Sequence, residues 1–320
     1  PGDRLRLEVT LGARRAQIVR ANAAAYIEDT LVAEAELVMG LVGGAEAISD
    51  RPMIDPTAVV HPAARIGAGT RVEPHSVIGE HVKIGRNCRI GASAVIGGFT
   101  EIGDGNEVFP MASIGLIPQD LKFGGERTRV VIGDRNVIRE FVTIHRGTAG
   151  GGGVTSIGNH NLFMAYTHIA HDCHVGNETI FANAATLAGH VTVEDYATIG
   201  AFSGVHQFCR VGRHAFIGGY SVVTKDALPF AKTVGNRARI YGLNTIGLVR
   251  RKFPSDSIDK LRRAYRILLH ANTSRALAQI DKDPKLRCPE VQYLVEFIRS
   301  STRGVGLRRP SRRVEDDVDD

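Results

Sequence analysis

Histidine is concentrated in one stretch of this chain. Five of its twelve histidines lie between residues 168 and 206, namely His168, His171, His174, His190 and His206. An imidazole titrates near neutral pH, so a histidine in such a cluster can act as a general base. Three histidines can also hold a zinc ion, which makes metal binding the main alternative. The choice between the two depends on the elements that position these side chains.

An aliphatic or phenylalanine side chain recurs every six residues over residues 54–114, 132–144 and 157–223. Neither the 3.6-residue period of a helix nor the two-residue period of a strand fits this pattern. A step of six is typical of a short strand followed by a turn, and three such steps make one triangular coil. The sequence therefore predicts a parallel β-helix over residues 54–223, with the repeated side chains pointing to its axis and each coil packed against its neighbours.

The coil predicts which histidines are neighbours. Residues eighteen positions apart should stack on successive coils, about 4.8 Å apart as in any parallel ladder. His171 then lies below Gly189 and Gln207, and the columns on either side of this one contain His190 and His206. The pattern therefore gathers these residues into one patch on one edge of the coil.

Two features of this patch favour acyl transfer. Gly189 offers a backbone N–H with no side chain in front of it, as an oxyanion hole requires. His171, one coil below, is the candidate general base. Its neighbour Asp172 can pair with it only where the chain turns at a coil corner, because adjacent residues of an extended strand point to opposite sides.

Zinc fits this spacing less well, and the sequence predicts no metal. Coil proteins that hold zinc through three histidines, the gamma-type carbonic anhydrases, use a His-x4-His spacing. In this chain His168 and His171 are only three positions apart. A coil that serves as a binding scaffold without catalysis is the non-enzymatic alternative.

The six-residue pattern is interrupted twice. Residues 116–130 and the Gly-rich residues 146–156 should form loops that leave the coil, and projecting loops often carry functional residues. Before the coil, apolar residues alternate within residues 1–42, which predicts a three-stranded antiparallel piece.

Three helices are predicted after the coil. Ser255 should cap the first, over residues 255–270, and Thr273 the second. The third should cover residues 289–303, with Pro289 in its first turn. The predicted regions of the chain are an N-terminal segment, the coil domain, a helical domain and a charged, disordered tail: residues 1–52, 53–235, 236–304 and 305–320.

Composition and charge narrow the classes of partner. The 320 residues include 36 glycines and no tryptophan, which suits a fold built from short strands and turns. A net charge of +6 favours anionic partners such as nucleotides or acidic proteins. The basic residues are not interleaved with aromatic ones, so no nucleic-acid groove is expected. The four cysteines form no CxxC pair, which indicates reduced thiols and a cytoplasmic protein, and no apolar run is long enough to span a membrane.

Longer motifs carry a specific resemblance. From Met53 to about Arg303 the chain resembles the UDP-N-acetylglucosamine 3-O-acyltransferases of lipid A biosynthesis, in stretches such as IGLIPQDLKFGGERTRVVIGDRNVIREFVTIHRGT, HIAHDCHVG, NAATLAGHVTVED, VHQFCRVG and GLNTIGLVRRKF. The resemblance implies a left-handed coil and a homotrimer with sites between neighbouring coils. It also implies that (R)-3-hydroxyacyl-acyl carrier protein donates its acyl group to the glucosamine 3-hydroxyl of UDP-N-acetylglucosamine, without a cofactor. This reaction is the first step of the lipid A pathway.

The same resemblance implies a role for individual residues. His171 matches the family's general base, Asp172 the residue that orients it, and Gly189 the oxyanion N–H. The residues that match substrate contacts are Gln119, Asp120, Lys122, His168, His190, His206, Gln207, Gly219, Asn244, Arg250 and Arg251. The two arginines match the nucleotide end, and a paired guanidinium suits a diphosphate.

Some alternatives stay open at this point. Gly219 matches the position that sets acyl length, and a glycine there would leave room for a long chain. Ile246 stands where some members have glutamate, which leaves part of the uridine contact unassigned. A 3-amino sugar nucleotide could replace the 3-hydroxyl acceptor, and a related N-acyltransferase is the second enzymatic interpretation.

Residues 1–42 carry a second resemblance. The segments PGDRLRLEV and DTLVAEAELVMGLV are similar to the final strands of hotdog-fold 3-hydroxyacyl-carrier-protein dehydratases. Those enzymes have their catalytic histidine and glutamate upstream, so this segment is expected to be inactive. Met53, directly before the first coil position, is the expected start of a separate enzyme, and a fusion or readthrough would explain the rest.

Overall fold

The computed structural model describes residues 5–15, 18–40 and 49–307. The chain forms two compact units, Pro1–Ser49 and Asp50–Asp320. The first unit is an antiparallel sheet of three strands in sequential order, β1 (Leu5–Arg15), β2 (Ile18–Ile27) and β3 (Thr30–Gly40). The three-stranded piece predicted from the alternating pattern is therefore confirmed. Its likeness to a dehydratase stays a prediction.

The second unit is a left-handed parallel β-helix followed by helices, as predicted. Its short strands form three sheets, which we call the first, second and third faces. The first face contains Met53–Ile54, Arg71–Val72, Arg89–Ile90, Glu107–Val108, Val137–Ile138, Leu162–Phe163, Ile180–Phe181, Thr198–Ile199, Phe216–Ile217 and Ala231–Val234. The second contains Val59–Val60, Val77–Ile78, Val95–Ile96, Ser113–Leu116, Thr143–His145, His168–Ile169, Thr186–Leu187, Gly204–Val205 and Val222–Val223. The third contains Arg65–Ile66, Lys83–Ile84, Phe99–Ile102, Arg129–Ile132, Val154–Ile157, His174–Val175, Thr192–Val193 and Arg210–Val211.

The repeated apolar side chains fill the axis of the coil. From residue 72 to residue 223 every repeat position within the strands is buried, and the rings of Phe163 and Phe181 stack inside with their centroids 4.9 Å apart. Parallel strands buried on their inner side need aliphatic or aromatic residues there and tolerate polar ones outside. The six-residue period is the sequence signature of this arrangement.

Three corners separate the faces. We name them the Asp172 corner (residues 172, 190 and 208), the Tyr196 corner (178, 196 and 214) and the Phe202 corner (184, 202 and 220). All nine corner residues have positive φ although none is glycine. This conformation is uncommon for residues with a Cβ, and hydrogen bonds between coils maintain it, as from the N–H of His190 to the carbonyl of His171 (3.0 Å).

The end of the coil differs in part from the prediction. Ala231–Val234 adds a parallel strand, and Arg239–Leu243 then pairs with it in the antiparallel sense. Two 3₁₀ turns, Ala149–Gly151 and Pro284–Leu286, lie in the loops. Residues 305–307 are not disordered as predicted, because Val305 bridges to Asp226 of the coil. The remaining predicted tail, residues 308–320, lies outside the described residues.

Up to residue 307, four α-helices follow the coil: α1 (Thr245–Arg250), α2 (Ser255–His270), α3 (Thr273–Lys282) and α4 (Pro289–Arg299). Three were predicted, and Pro289 does stand in the first turn of α4. The helix α1 was not predicted, because its six residues are too few to show a helical period. None of the helices in the described ranges is long and apolar enough to cross a membrane.

Both predicted caps are wrong by one residue. The cap of α2 is Pro254, whose extended backbone starts the helix, and Ser255 is already helical. The cap of α3 is Asn272, because its side-chain oxygen accepts from the N–H of Ser274 at 3.0 Å. Asparagine serves this purpose better than threonine, which explains the shift. The α4 helix also ends at Arg299, before the predicted residue 303.

A matched pair of substitutions tests the packed axis. Leu187 is fully buried in the coil, whereas Leu121 is fully exposed in the loop over residues 117–128. We expect Leu187→Ala to lower the free energy of unfolding by about 2–5 kcal/mol, because it leaves a cavity, and Leu121→Ala to leave it within about 0.5 kcal/mol. Urea denaturation followed by circular dichroism measures both. Equal effects would contradict the assignment of the repeat to the axis.

Candidate active site

The Asp172 corner joins His171 to its neighbour. The imidazole Nδ1 of His171 lies 2.8 Å from Oδ2 of Asp172. Asp172 has a φ of 56°, which turns the chain sharply enough for adjacent side chains to meet. A carboxylate cannot donate, so Nδ1 carries the proton and Nε2 of neutral His171 keeps a free lone pair. This is the hydrogen-bonding state that a general base requires.

A buried threonine holds the carboxylate from the other side. The Asp172 side chain is inaccessible to solvent. Thr148 donates to it twice, from its backbone N–H to Oδ1 (2.9 Å) and from its hydroxyl to Oδ2 (2.7 Å). With the His171 N–H, the carboxylate therefore accepts three hydrogen bonds, which offset the cost of burying its charge.

Thr148 was not among the predicted site residues. It lies in the Gly-rich loop, and the signal that could have indicated it is the glycine content itself. A Cβ added at Gly151 would stand 2.1 Å from Cγ of Asp172. Only glycine therefore lets the loop approach closely enough for Thr148 to reach the carboxylate. The loop that interrupts the repeat is part of the site.

Gly189 stacks above the His171 ring, as predicted from the eighteen-residue step. A Cβ added at Gly189 would stand 2.5 Å from Cε1 and 2.6 Å from Nε2 of His171. The Gly189 N–H makes no hydrogen bond to any described residue. A free N–H beside the basic nitrogen of an imidazole is the arrangement that an acyl-transfer site needs.

His190 packs against His171 on the next coil. Its ring meets the His171 ring edge to face at 5.0 Å and stacks on Phe208 at 4.4 Å. Burial lowers the pKa of His190, an effect that the nearby carboxylate of Asp172 opposes. The negative charge of Asp120, from the loop over residues 117–128, also opposes the lowering of the His190 pKa.

His168 lies on the second face beside a histidine that the sequence analysis missed. Its Nδ1 is 2.7 Å from the hydroxyl of Thr143, and its ring meets His145 edge to face at 5.1 Å. His145 is buried and its Nδ1 has no hydrogen-bond partner in the described structure. Burial lowers the pKa of His145 to about 4, and the charges of His168 and His171 add to this. His145 lies outside the eighteen-residue columns of the cluster because the Gly-rich loop shifts the register.

One group of side chains in the described ranges could hold a metal ion. The candidate ligand atoms of His171, Asp172 and His190 all lie within 4.8 Å of one another. These are the residues of the proposed base and its orienting carboxylate, so a metal here would compete with their hydrogen bond. His168, which the spacing argument considered, is not in the group.

His206 and Gln207 lie on the next coil and are exposed. The His206 ring is 3.1 Å from the guanidinium of Arg303, which also donates to the carbonyl of Thr224. The structure therefore ties this predicted site histidine to the segment after α4.

Other predicted residues lie at different corners of the same chain. Asn244 caps α1 and donates to the carbonyl of His214, at the Tyr196 corner. At that corner Arg251 pairs with Glu178 and covers the ring of Tyr196. Arg250 is exposed at the end of α1.

The remaining predictions are scattered as well. Gly219 is exposed at the Phe202 corner, where an added Cβ would stand 3.3 Å from the carbonyl of Ala201. Gln119 and Lys122 are exposed on the same loop as Asp120. A single chain therefore collects His168, His171, Asp172, Gly189 and His190, with His206 and Gln207 on the next coil. It leaves Gly219, Asn244, Arg250 and Arg251 apart from them.

The coil and this histidine corner define a hexapeptide-repeat transferase. Residues 190–225 match the model "Bacterial transferase hexapeptide (six repeats)" and residues 226–306 match "Udp N-acetylglucosamine O-acyltransferase; Domain 2". Solved structures agree with this fold. LpxA from Acinetobacter baumannii superposes with a TM-score of 0.77 at 40% identity, covering 80% of this chain and all of that one. The Francisella novicida UDP-N-acetylglucosamine acyltransferase gives 0.76 at 40% identity, covering 81% and 95%.

Curated relatives identify the family. An acyl-(acyl-carrier-protein)–UDP-N-acetylglucosamine O-acyltransferase from Stenotrophomonas maltophilia is 50% identical over 254 residues, which is 79% of this chain and 97% of the relative. The enzyme of the same name from Alkalilimnicola ehrlichii is also 50% identical over 254 residues, with 79% and 98% covered. The chain belongs to the family of acyl-(acyl-carrier-protein)–UDP-N-acetylglucosamine O-acyltransferases, which confirms the resemblance drawn from its motifs.

The buried His145 predicts how stability depends on pH. Unfolded histidine binds a proton near pH 6.5, whereas folded His145 does so only near pH 4. The unfolded state thus binds more protons in this window, and stability falls as the pH is lowered from 6.5 to 4, by at most about 1.4 kcal/mol per pH unit from this group. We expect His145→Gln to flatten the dependence of the free energy of unfolding on pH.

His160 supplies the matched control, because it is exposed at a coil corner. His160→Asn should leave the pH dependence unchanged. Some slope will persist in every variant, since burial also lowers the pKa of His214 to about 4. Denaturant midpoints at a series of pH values give the slopes. The same slope in His145→Gln and in the unmodified protein would contradict the burial of a neutral imidazole.

Proposed function

We propose that this protein transfers an (R)-3-hydroxyacyl group from acyl carrier protein to the glucosamine 3-hydroxyl of UDP-N-acetylglucosamine. The observation that carries the proposal is the corner where Nε2 of His171 lies beside the free N–H of Gly189, with Asp172 on the opposite ring nitrogen. Family membership supplies the substrates, which the relatives' names state. In the lipid A pathway this is the first step, and we place the protein in the cytoplasm.

His171 acts as the general base. Its Nε2 takes the proton of the sugar 3-hydroxyl as the oxygen attacks the thioester carbonyl of the acyl donor. Asp172 keeps the ring in the tautomer that exposes Nε2 and stabilises the imidazolium that forms. Thr148 is a positioning residue, since it acts by holding the carboxylate.

Gly189 stabilises the tetrahedral intermediate. Its N–H has no partner among the described residues and can donate to the oxyanion as negative charge develops on the former carbonyl oxygen. When the intermediate collapses, the C–S bond breaks and the ester of the 3-oxygen remains. The thiolate of the carrier protein leaves and recovers the proton from Nε2 of His171. The proposed reaction therefore balances in atoms and charge with the two substrates and His171 alone.

The complete site requires a neighbouring chain. Asn244 and Arg251 at the Tyr196 corner, and Gly219 at the Phe202 corner, cannot join the Asp172 corner within one coil. The outward positions of the second face contain no Asp, Glu, Lys or Arg: Val59, Val77, Val95, Ser113, Thr143, His168, Thr186, Gly204 and Val222. Its uncharged surface supports a homotrimer packed through this face, with nucleotide and acyl subsites supplied by adjacent copies.

An assay with purified protein tests the proposed reaction. The chain is incubated with UDP-N-acetylglucosamine and (R)-3-hydroxyacyl-carrier proteins of several lengths, and acylated sugar nucleotide is measured by mass spectrometry. We expect transfer from a long-chain donor, since Gly219 leaves its surroundings open, and a loss of about 10²–10⁴ in rate for His171→Ala. Full activity of His171→Ala would exclude the general-base proposal.

The same assay separates the remaining alternatives. Faster transfer to a 3-amino analogue of the sugar nucleotide would favour N-acylation. The candidate ligand set of His171, Asp172 and His190 motivates a chelator control. Dialysis against a chelator should leave the rate unchanged, whereas a zinc-dependent reaction would be lost and restored by the metal. Absence of any transfer would favour a binding scaffold.

Two matched substitutions, one on the second face and one on the third, test the proposed trimer. Thr186 is an outward residue of the uncharged second face, and Thr192 is its counterpart on the third face, which carries Arg65, Lys83 and Glu101. Thr186→Glu should disrupt the trimer, because it buries a charge between copies, whereas Thr192→Glu should leave it intact. Light scattering after size-exclusion chromatography gives the mass. A trimer in both variants would exclude the second face as the contact.

A further inference from the structure

A cavity lies at the end of the coil, and no residue of the Asp172 corner lines it. It has a volume of about 810 Å³ and is enclosed by the end of the coil, the end of α2, the start of α3 and the segment after α4. The side chains that line it include Lys225, Arg237, Arg239 and His270, and none of the described residues around it is acidic. The proposed acyl transfer uses none of these groups.

The cations of this cavity are unpaired. Lys225, Arg237 and Arg239 are exposed, and none of them forms an ion pair or side-chain hydrogen bond with the described part of the chain. The cavity also faces the first turn of α3, which begins at Thr273 and has no acidic residue of its own. A helix N-terminus adds positive potential to that of the side chains. The rim of the cavity therefore suits a ligand with several negative charges.

The floor of the cavity is apolar. Leu268 and Ile298 are buried beneath it, and Val305 and Leu307 are half-buried along its side. A purely ionic ligand would leave this floor in contact with water. The chemistry of the cavity thus calls for an acidic peptide that also carries aliphatic side chains.

We propose that the cavity binds residues 314–320 of the same chain, VEDDVDD. Five of these seven residues are acidic, and Val314 and Val318 are four positions apart. The chain leaves the described structure at Leu307, which itself lines the cavity. The six intervening residues, RRPSRR, span up to about 20 Å when extended, which is enough to turn back to the rim. Such docking requires the four arginines of this linker to face solvent, away from the cations of the rim.

The docked segment would lie next to the contact between Arg303 and His206. Thr224 lines the cavity, and its carbonyl accepts a hydrogen bond from Arg303, whose guanidinium also meets the His206 ring. Binding of the acidic residues therefore occurs beside the arginine that holds His206. This inference does not depend on the proposed acyl transfer.

Zero-length cross-linking of the full chain tests the proposal. A carbodiimide joins a lysine amine to a carboxylate only when the two are in contact, and peptide mass spectrometry locates the bond. We expect an amide between Lys225 and a carboxylate within residues 315–320, formed within one chain. An equal mixture of light and isotopically heavy protein shows whether the linked peptides share a chain.

Two double variants provide the matched comparison. Arg237→Gln with Arg239→Gln should reduce the yield of the Lys225 cross-link, because the rim loses two positive charges. Arg266→Gln with Arg275→Gln removes the same charge from exposed positions that do not line the cavity, and the yield should stay unchanged. Added salt should also lower the yield, since exposed charges are screened.

Three results would overturn the proposal. The first is the absence of a Lys225 cross-link in the unmodified protein. The second is a yield at Lys225 no greater than at lysines outside the cavity, such as Lys252 and Lys282, which would indicate chance encounters. The third is a cross-link found only between light and heavy chains, which would make a second copy the occupant.

Discussion

The hydrogen bonds between successive coils are the constraint on which the rest of this structure depends. Each coil repeats the backbone of the one below it, so the carbonyl of His171 meets the N–H of His190 and the carbonyl of Gly189 meets the N–H of Phe208. This ladder fixes residues eighteen positions apart at a spacing of about 4.8 Å. Side chains that are eighteen residues apart in sequence thereby become neighbours. The positive φ of the corner residues turns their side chains away from the axis of the coil.

The ladder alone would not prepare His171 for its proposed role as a base. A buried carboxylate is costly unless its oxygens accept hydrogen bonds, and the regular coil has few donors for this corner. The Gly-rich loop supplies them through Thr148, and the loop can come so close only because residue 151 has no side chain. The interruption of the repeat thus completes the corner, and the rigid coil holds the imidazole between Asp172 and Gly189.

Those features of the fold and the site that repeat at a fixed interval along the chain could be predicted from the sequence. The coil, the burial of its repeat positions and the stacking of His171 below Gly189 all depend on counting in sixes and eighteens. Thr148 and His145 escaped because loop conformation has no period, and their contacts depend on how residues 146–156 fold over the coil. The caps of α2 and α3 were displaced because Pro254 and Asn272 compete with adjacent serine and threonine, a local balance that pattern alone does not resolve. Arg251 and Gly219 lie at corners other than that of His171, which is why we propose that a neighbouring chain completes the site.

The most direct test of this account adds a single methyl group to each of two glycines. A Cβ at Gly189 would overlap the His171 ring, whereas a Cβ at Gly242, in the strand Arg239–Leu243 and off the second face, would meet nothing within 4 Å. Acyl transfer and thermal unfolding are measured for Gly189→Ala and Gly242→Ala. We expect both variants to fold, Gly242→Ala to keep its transfer rate and Gly189→Ala to lose it. Full transfer by a folded Gly189→Ala would contradict the placement of the base beneath its oxyanion donor.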